Sequence, residues 1–476
     1  MKKVMLFLLL SMTMFNSYAS ATSSDHTQLI QDFMKKSIEE YKIPGVSLTI
    51  VKDGEIYFQD NWGSRSDGTP VTSETLFTLG SISKPLTSLA LMKLVEQKNI
   101  ELDQTIDTYI PSFQYNKNGF EKNITIRHLL THTSGISSYE GLEVAELMLR
   151  GVNTIDEAVQ KLNNVSLNHE PGEIHQYSAA NYLLLGKVIE NVTDQSFAEF
   201  MDDEIYSALE MNRTVSNYEN ANRLGYQPGF QSWFGKPIKS ENLFDDSGAP
   251  YGYIASTAND MSKFIQFLLD GGRDLLSNHT FDIYTSPQVH RKEEMYYGLG
   301  WRISIKKTDS FYFHGGETPD SRAELFLNPE KDYGFILLTN KNNFSEVLHT
   351  AYIREGLKTI IEDGELPEIP KASYQMQWIT LIVAILLAVL TIWNLVHLKR
   401  KNLVRIIRWA IIGVISIIFS LVLIPLITYL FDSPWHTIYY YAPDIAFLII
   451  CLVGILAIYG LLLFFMMYKK RKVLIC

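Results

Sequence analysis

Three apolar stretches close this 476-residue chain, at residues 378–396, 409–430 and 445–468, with lengths of 19, 22 and 24. A helix rises ~1.5 Å per residue and a bilayer's hydrocarbon core is ~30 Å thick, so each stretch is long enough to cross it. None contains Asp, Glu, Lys or Arg. Ionisable groups inside a membrane mark transport pathways, so their absence favours an anchor over a pump or channel. Lys399, Arg400, Lys401, Arg405 and Arg408 separate the first two stretches, and Lys469, Lys470, Arg471 and Lys472 follow the third. Residues 431–444, between the second and third, hold no Lys or Arg but carry Trp435, Tyr439, Tyr440 and Tyr441. The positive-inside rule puts both basic segments in the cytoplasm and the aromatic loop outside.

The other end agrees with that orientation. Lys2 and Lys3 precede an apolar run over residues 4–15, followed by small residues at 17–21. That is the pattern of a cleaved export signal over residues 1–21. Its twelve-residue run covers ~18 Å, too short to span. Between the two ends, residues 22–377 hold 31 basic and 50 acidic side chains, a net charge of −19. So acidic a surface repels phosphate backbones, which excludes nucleic acid as a partner. The two cysteines, Cys451 and Cys476, both lie in the C-terminal apolar region. The exported part therefore has no disulfide and no cysteine metal site.

Within it, Leu29, Ile30, Phe33, Met34, Ile38 and Tyr41 recur at helical spacing. Residues 46–51 and 55–58 flank Lys52-Asp53-Gly54 and predict strand, tight turn, strand. Residues 80–290 are mostly helical patterns and polar loops. Strand patterns return at 297–305, 311–313, 322–327 and 333–339, followed by a helix at 345–361. The expected fold is α/β of the α+β type: an antiparallel sheet from both chain ends, packed with helices, plus an inserted all-helical region. The expected domain is 22–362, with a linker at 363–377 and a membrane region at 378–476.

Chemistry can enter at Ser81-Ile82-Ser83-Lys84-Pro85, which opens a pattern whose Leu86, Leu89, Ala90, Leu94 and Val95 face one way. Residues three apart share a face of a helix, and a helix N-terminus offers free amides and a positive potential. A neutral lysine there can take the proton of a serine nucleophile. The bare pair is a weak signal, and Ser304 and Lys307 repeat it. That second pair lies in an alternating run, where residues three apart face opposite ways, so Ser304 is set aside. His128 and His132 have zinc-ligand spacing but no third ligand at suitable distance, which favours structural roles. Taken alone, Tyr177 reads as a core aromatic.

These segments occur in a telling order: Ser81 to Lys84, residues 124–135 (Ile-Thr-Ile-Arg-His-Leu-Leu-Thr-His-Thr-Ser-Gly), Pro171-Gly172 through Tyr177-Ser178 to Asn181-Tyr182, and His314-Gly315-Gly316. In them the chain resembles the serine beta-lactamase and penicillin-binding protein superfamily, in its class C-like branch of D-amino-acid peptidases, esterases and beta-lactamases. The resemblance runs from about residue 30 to 360. It implies a beta-lactamase/transpeptidase-like fold, Ser81 as acylated nucleophile, Lys84 as its base and Tyr177 as proton shuttle to the leaving group. It further implies a third motif at His314 and Gly316, where many relatives have Lys for His, an oxyanion hole from the amides of Ser81 and Glu317, and no metal or organic cofactor.

Two positions depart from the family pattern. Where an asparagine often follows the tyrosine by two, this chain has Ala179, with Asn181 two further on as the substrate-binding candidate. Glu317 places a carboxylate where small residues are usual and is expected to disfavour substrates with a free carboxylate, penicillins included. The resulting expectation is a multi-pass membrane serine hydrolase, catalytic domain outside and C-terminus in the cytoplasm, acting on D-amino-acid peptides or esters of the cell envelope. A non-catalytic envelope sensor is the rival from another class, and antibiotic resistance by hydrolysis is a third reading.

Overall fold

The structure is a computed structural model that describes residues 22–272, 275–307, 309–398 and 403–475. The export signal expected at 1–21 lies outside the described residues. An eight-stranded antiparallel sheet is built from both sides of the chain. Strands β1 (Gly45–Lys52) and β2 (Glu55–Gly63) come first. β3 (Val289–Lys292), β4 (Met295–Tyr297), β5 (Arg302–Lys306), β6 (Asp309–Thr318), β7 (Ser321–Asn328) and β8 (Tyr333–Thr339) come last, in the order β2-β1-β8-β7-β6-β5-β4-β3. The seam joining the two halves pairs Val46 with Thr339 and Ile50 with Phe335. Asp53 and Gly54 both take positive φ, 52° and 78°, as the tight turn between β1 and β2 requires.

Strand alternation sends β1 and β8 residues to two cores. Val46, Leu48, Ile50, Phe335 and Leu337 meet helices α1 (Thr22–Tyr41) and α5 (Val347–Asp363), while Val51, Ile336 and Leu338 face the helical insert. That insert contributes α2 (Ser83–Glu96), α3 (Ala179–Thr193) and α4 (Ala258–Leu269). The strand expected at 297–305 is two strands, because Gly300, with φ 85°, turns the chain and pairs Tyr297 with Arg302. The same turn brings Gly300 against α2, where a Cβ would lie 2.8 Å from Ser88 Oγ and 3.1 Å from the Lys84 carbonyl oxygen. Ser304 is buried on β5 and Lys307 is exposed, as strand geometry requires of that pair.

The three apolar stretches are helices α6 (Gln375–Leu398), α7 (Leu403–Phe431) and α9 (Pro443–Ile475), each long and apolar enough to cross a membrane. Gly460 lets α9 approach α7, since a Cβ there would sit 2.5 Å from Ile417 and 2.8 Å from the Gly413 carbonyl oxygen. The aromatic connection, read from sequence as a loop, holds a further helix, α8 (Trp435–Tyr441), which docks on the sheet domain. His436 Nε2 lies 3.0 and 3.2 Å from the carbonyl oxygens of Leu142 and Ala145, and Gln231 donates to the Tyr440 carbonyl at 2.7 Å. Asp444 accepts from the Phe234 amide at 3.0 Å and from Asn343 at 3.1 Å.

Candidate active site

Ser81 sits in a tight 3₁₀ turn, Gly80–Ile82, running directly into α2. The amphipathic pattern expected of α2 proves to be burial all round, because its polar side packs on residues 249–254. Thr87 donates to the Pro250 carbonyl at 2.8 Å, Ser88 bonds the Tyr182 hydroxyl at 3.1 Å, and Ser83 accepts from the Ile254 amide at 3.2 Å. With every polar group partnered, a helix can occupy the centre of the molecule without penalty. Lys84 lies on the turn after Ser81 and is 1% exposed. Its Nζ donates to Ser81 Oγ at 3.0 Å and to the Tyr251 carbonyl at 2.7 Å.

Tyr177 precedes α3 and closes the group: its hydroxyl donates to Ser81 Oγ at 2.8 Å. Lys84 Nζ lies 4.8 Å from the Tyr177 ring centre and 5.7 and 6.0 Å from those of Tyr182 and Tyr251. Burial pushes the lysine's pKa down against the opposing pull of the Tyr177 hydroxyl, and the Arg302 guanidinium pushes the same way as burial. Both hydrogen-bond partners of Lys84 are neutral oxygens. A lysine so placed is biased toward the amine that can accept a serine proton.

Two glycines bring β6 to this turn. At Gly80, φ 55°, a Cβ would stand 2.0 Å from the Glu317 amide nitrogen; at Gly316 a Cβ would stand 1.9 Å from the Leu79 carbonyl oxygen and 3.1 Å from the Ser81 amide nitrogen. No larger residue fits at either position, so the Glu317 backbone packs directly against the Gly80–Ser81 turn. His314 on β6 is buried; its Nδ1 donates to the Gly315 carbonyl at 2.8 Å, leaving Nε2 facing the Tyr297 hydroxyl at 3.5 Å. Burial holds its pKa well below the usual histidine range, so it adds no cation. That charge comes from Arg302 instead, whose guanidinium lies 5.7 Å from the Tyr177 ring centre. The Glu317 carboxylate, expected to stand free, is paired with Arg322 at 2.8 Å, which offsets the charge expected to repel carboxylate substrates.

Asn181 is not brought to the pocket. It is fully buried, accepting from Ser134 Oγ at 2.6 Å and bonding His132 Nδ1 at 3.0 Å, so its amide is consumed behind Tyr177 rather than presented to substrate. Position 181 falls within α3, two residues past the turn where Ala179 starts the helix, and helical rotation turns it to the core. His132 packs against Tyr177 at a tilt, with ring centres 4.2 Å apart, and accepts from the Ser178 amide, positioning the phenol. His128 completes a capping box with Thr125 at the start of helix Ile126–Leu130. Arg302, Glu146 and Tyr441 were missed from sequence. Arg302 interrupts an apolar alternating strand, which is a usable signal; the other two carry none.

Glu146 is held with φ 54° and is buried, its Oε1 accepting from the Tyr441 hydroxyl of α8 at 3.0 Å. Burial, reinforced by Asp245 and Glu317, pushes its pKa up to about 8.

Residues 27–358 match the family described as Beta-lactamase. Protein flp of Staphylococcus aureus (strain MW2) is 27% identical over 326 residues, covering 67% of this chain and 64% of that protein, so the match spans under two thirds of the relative's length. Penicillin-binding protein 4 of Amycolatopsis lactamdurans is 27% identical over 237 residues, 49% of this chain and 61% of that one. Among solved structures, the octameric penicillin-binding protein homologue from Pyrococcus abyssi superposes with a TM-score of 0.65 at 24% identity, covering 74% of this chain and 80% of its own. The hydrolase EstCE1, described as having promiscuous acyltransferase activity, gives 0.62 at 20%, covering 71% and 99%. Both share the fold.

Proposed function

The chain belongs to the beta-lactamase family of serine hydrolases, and from that premise we propose that it is a membrane-anchored enzyme acting outside the cell through an acyl-enzyme at Ser81. Its substrates are D-amino-acid peptides or esters of the cell envelope. The observation carrying the reading is the convergence of Lys84 Nζ and the Tyr177 hydroxyl on Ser81 Oγ, at 3.0 and 2.8 Å.

Ser81 Oγ attacks the substrate carbonyl carbon as its proton passes to the neutral Lys84 amine. The oxygen that gains charge accepts from the Ser81 and Glu317 amides; losing one such donor typically costs about 3 kcal/mol of barrier. The intermediate collapses, the bond to the leaving group breaks, and Tyr177 protonates it while drawing a proton from Lys84. Arg302 beside the ring stabilises the phenolate this relay passes through. Water then attacks the acyl-enzyme by the same steps in reverse, releasing the acid and restoring Ser81. Among the described residues no carboxylate is hydrogen-bonded to the buried Lys84 amine, which keeps it available as a base.

The outward placement of the catalytic domain rests on the basic residues at 399–408 and 469–472 and on the aromatic loop between the last two spans. Treatment of membranes with a fluorophosphonate or a fluorescent penicillin should label the full chain at Ser81 and leave Ser81→Ala unlabelled. Absence of labelling by every serine-directed probe would support a non-catalytic binding protein.

A further inference from the structure

Helix α5 has two halves of opposite polarity. In its C-terminal half Ile353, Leu357 and Ile360 are buried against the sheet and α1, while Glu355 and Asp363 are exposed. That is the ordinary order for a helix facing water. In the preceding half the order is inverted. The 3₁₀ turn Phe344–Glu346 leads into the helix, and Phe344, Leu348 and Tyr352, spaced by four and so on one face, are 56%, 58% and 40% exposed. The polar side chains of the same segment point inward: Glu346 pairs with Lys341 at 3.0 Å, His349 stacks on Tyr41 with ring centres 4.1 Å apart, and Thr350 donates to Glu324 at 2.9 Å. Apolar side chains exposed singly are normal on a protein surface, but a row of three backed by buried polar groups marks a contact.

The neighbours of this face point to what covers it. Gln377, in the first turn of α6, donates to Ser345 Oγ at 2.9 Å, and Phe344 lines one crevice with Ile379 and Val383 of that helix. Phe344 therefore stands level with the start of a helix long and apolar enough to cross a membrane. Trp378, 54% exposed, lies at the same level, where aromatic side chains mark the bilayer surface. The domain meets the spans there a second time, through the turn at Phe234 and Gly235: Phe234 contacts Trp378 with ring centres 5.0 Å apart, and Trp233 contacts Phe447 at 5.8 Å. From Phe344 to Tyr352 the helix advances only about 12 Å, and Arg354 and Glu355 then open the charged half. Apolar at Phe344, mixed at Tyr352 and charged at Glu355, the face follows the polarity of a bilayer from hydrocarbon through headgroups to water.

We propose that membrane lipid covers this face: Phe344, Leu348 and Tyr352 are seated in the bilayer interface, so that the catalytic domain rests on the membrane through α5 as well as hanging from its spans. The partner is the lipid surface itself, because the stripe is continuous with the lipid-facing end of α6 and fades into charge within two turns. The inference goes beyond the hydrolase reading and is independent of it; it rests on α6 crossing a membrane. Tyr352 closes the stripe with a ring for the apolar side of the boundary and a hydroxyl for the wet side. A domain seated in this way does not swing freely on the segment 363–377, which holds Ser81 at one height above the lipid.

Spin labels read the depth in the full chain in phospholipid nanodiscs. In a Cys451→Ser, Cys476→Ser background, Leu348→Cys, Tyr352→Cys and Glu355→Cys each carry one nitroxide, at exposed positions whose substitution spares the core. Collisions with oxygen, which concentrates in lipid, are compared with collisions with a water-soluble nickel chelate. The label at 348 should lie about 5–10 Å below the phosphates, the label at 352 near them and the label at 355 in water. A label at 348 as open to the nickel chelate as the one at 355 would put the face in water and overturn the proposal. A label at 348 shielded from both reagents, with its spectrum broadened by a second nitroxide, would mark contact between copies of the chain and also overturn it. A second measurement uses the wild-type chain: a phospholipid carrying a photoreactive group close to its headgroup should crosslink within residues 344–352. Crosslinks confined to α6, α7 and α9 would contradict a lipid-seated α5.

Discussion

Lys84 and Lys341 are both buried, 1% and 3% exposed, and differ in what surrounds the amine. Lys341 lies just past β8, on a two-residue strand that pairs with Phe230 and Gln231 outside the large sheet. Its Nζ donates to the Tyr41 carbonyl at 2.6 Å and pairs with both oxygens of Glu346, at 3.2 and 3.0 Å, while Ser232 donates to the same carboxylate. Lys84 has a serine oxygen, a carbonyl oxygen and three tyrosine rings. Burial pushes both pKa values down, but at Lys341 the Glu346 carboxylate opposes it and at Lys84 chiefly a phenol does. A buried ion pair whose partners satisfy one another fixes structure. A buried amine without a counter-charge costs stability and gains reactivity, the signature of a functional group.

The contrast is broken most directly by the same substitution at each site. Lys84→Met should lower kcat by about 10³-fold, measured with any ester the enzyme accepts, while the melting temperature changes little, because a buried amine that has no ion-pair partner is exchanged for an apolar chain of similar shape. Lys341→Met should do the reverse. It leaves the buried Glu346 carboxylate without its counter-charge, at a cost of about 3–5 kcal/mol in denaturant unfolding, with kcat of the folded fraction within about twofold of wild type. Equal losses of activity at the two sites would erase the distinction.

Smaller effects sharpen it. Arg302 depresses the Lys84 pKa, so Arg302→Met should raise it and move the acid limb of the pH–rate profile to higher pH, with kcat/KM down about tenfold near neutrality. Rescue by Arg302→Lys would separate charge from packing. Glu146 supplies the least of these effects. With a folded pKa of about 8 against the usual 4.5, its protonated form contributes stability in full below about pH 4.5, and the contribution is lost as pH rises through about 8. Glu146→Gln should therefore flatten the decline in melting temperature over that window.

Much of this was legible in the chain itself. Ser81 and Lys84 could be placed on one helical turn by spacing, and the strands at 322–327 and 333–339 by their short strand-like patterns, because those signals are local. Tyr177 needed the family resemblance, since Tyr182 and three leucines follow closely and mask it as core. Asn181 pointed the wrong way because the exact start of α3, at Ala179, decides which residues face the cleft, and one-residue boundaries are not encoded in composition. The pairing of Glu317 with Arg322 is a cross-strand contact within a hairpin whose register the sequence leaves open. The docking of α8 on Leu142, Ala145 and Glu146 joins residues almost 300 apart, and nothing in an aromatic loop announces its partner.

The central claim is that Lys84 works as a neutral base on Ser81. It is tested by following the rate of Ser81 modification by a fluorophosphonate across pH in the full-length protein. The account predicts that the rate rises to a plateau with a midpoint below the 10.5 usual for lysine, and that Lys84→Met abolishes the rise. A midpoint at or above 10.5, or a rise that survives in Lys84→Met, would contradict it.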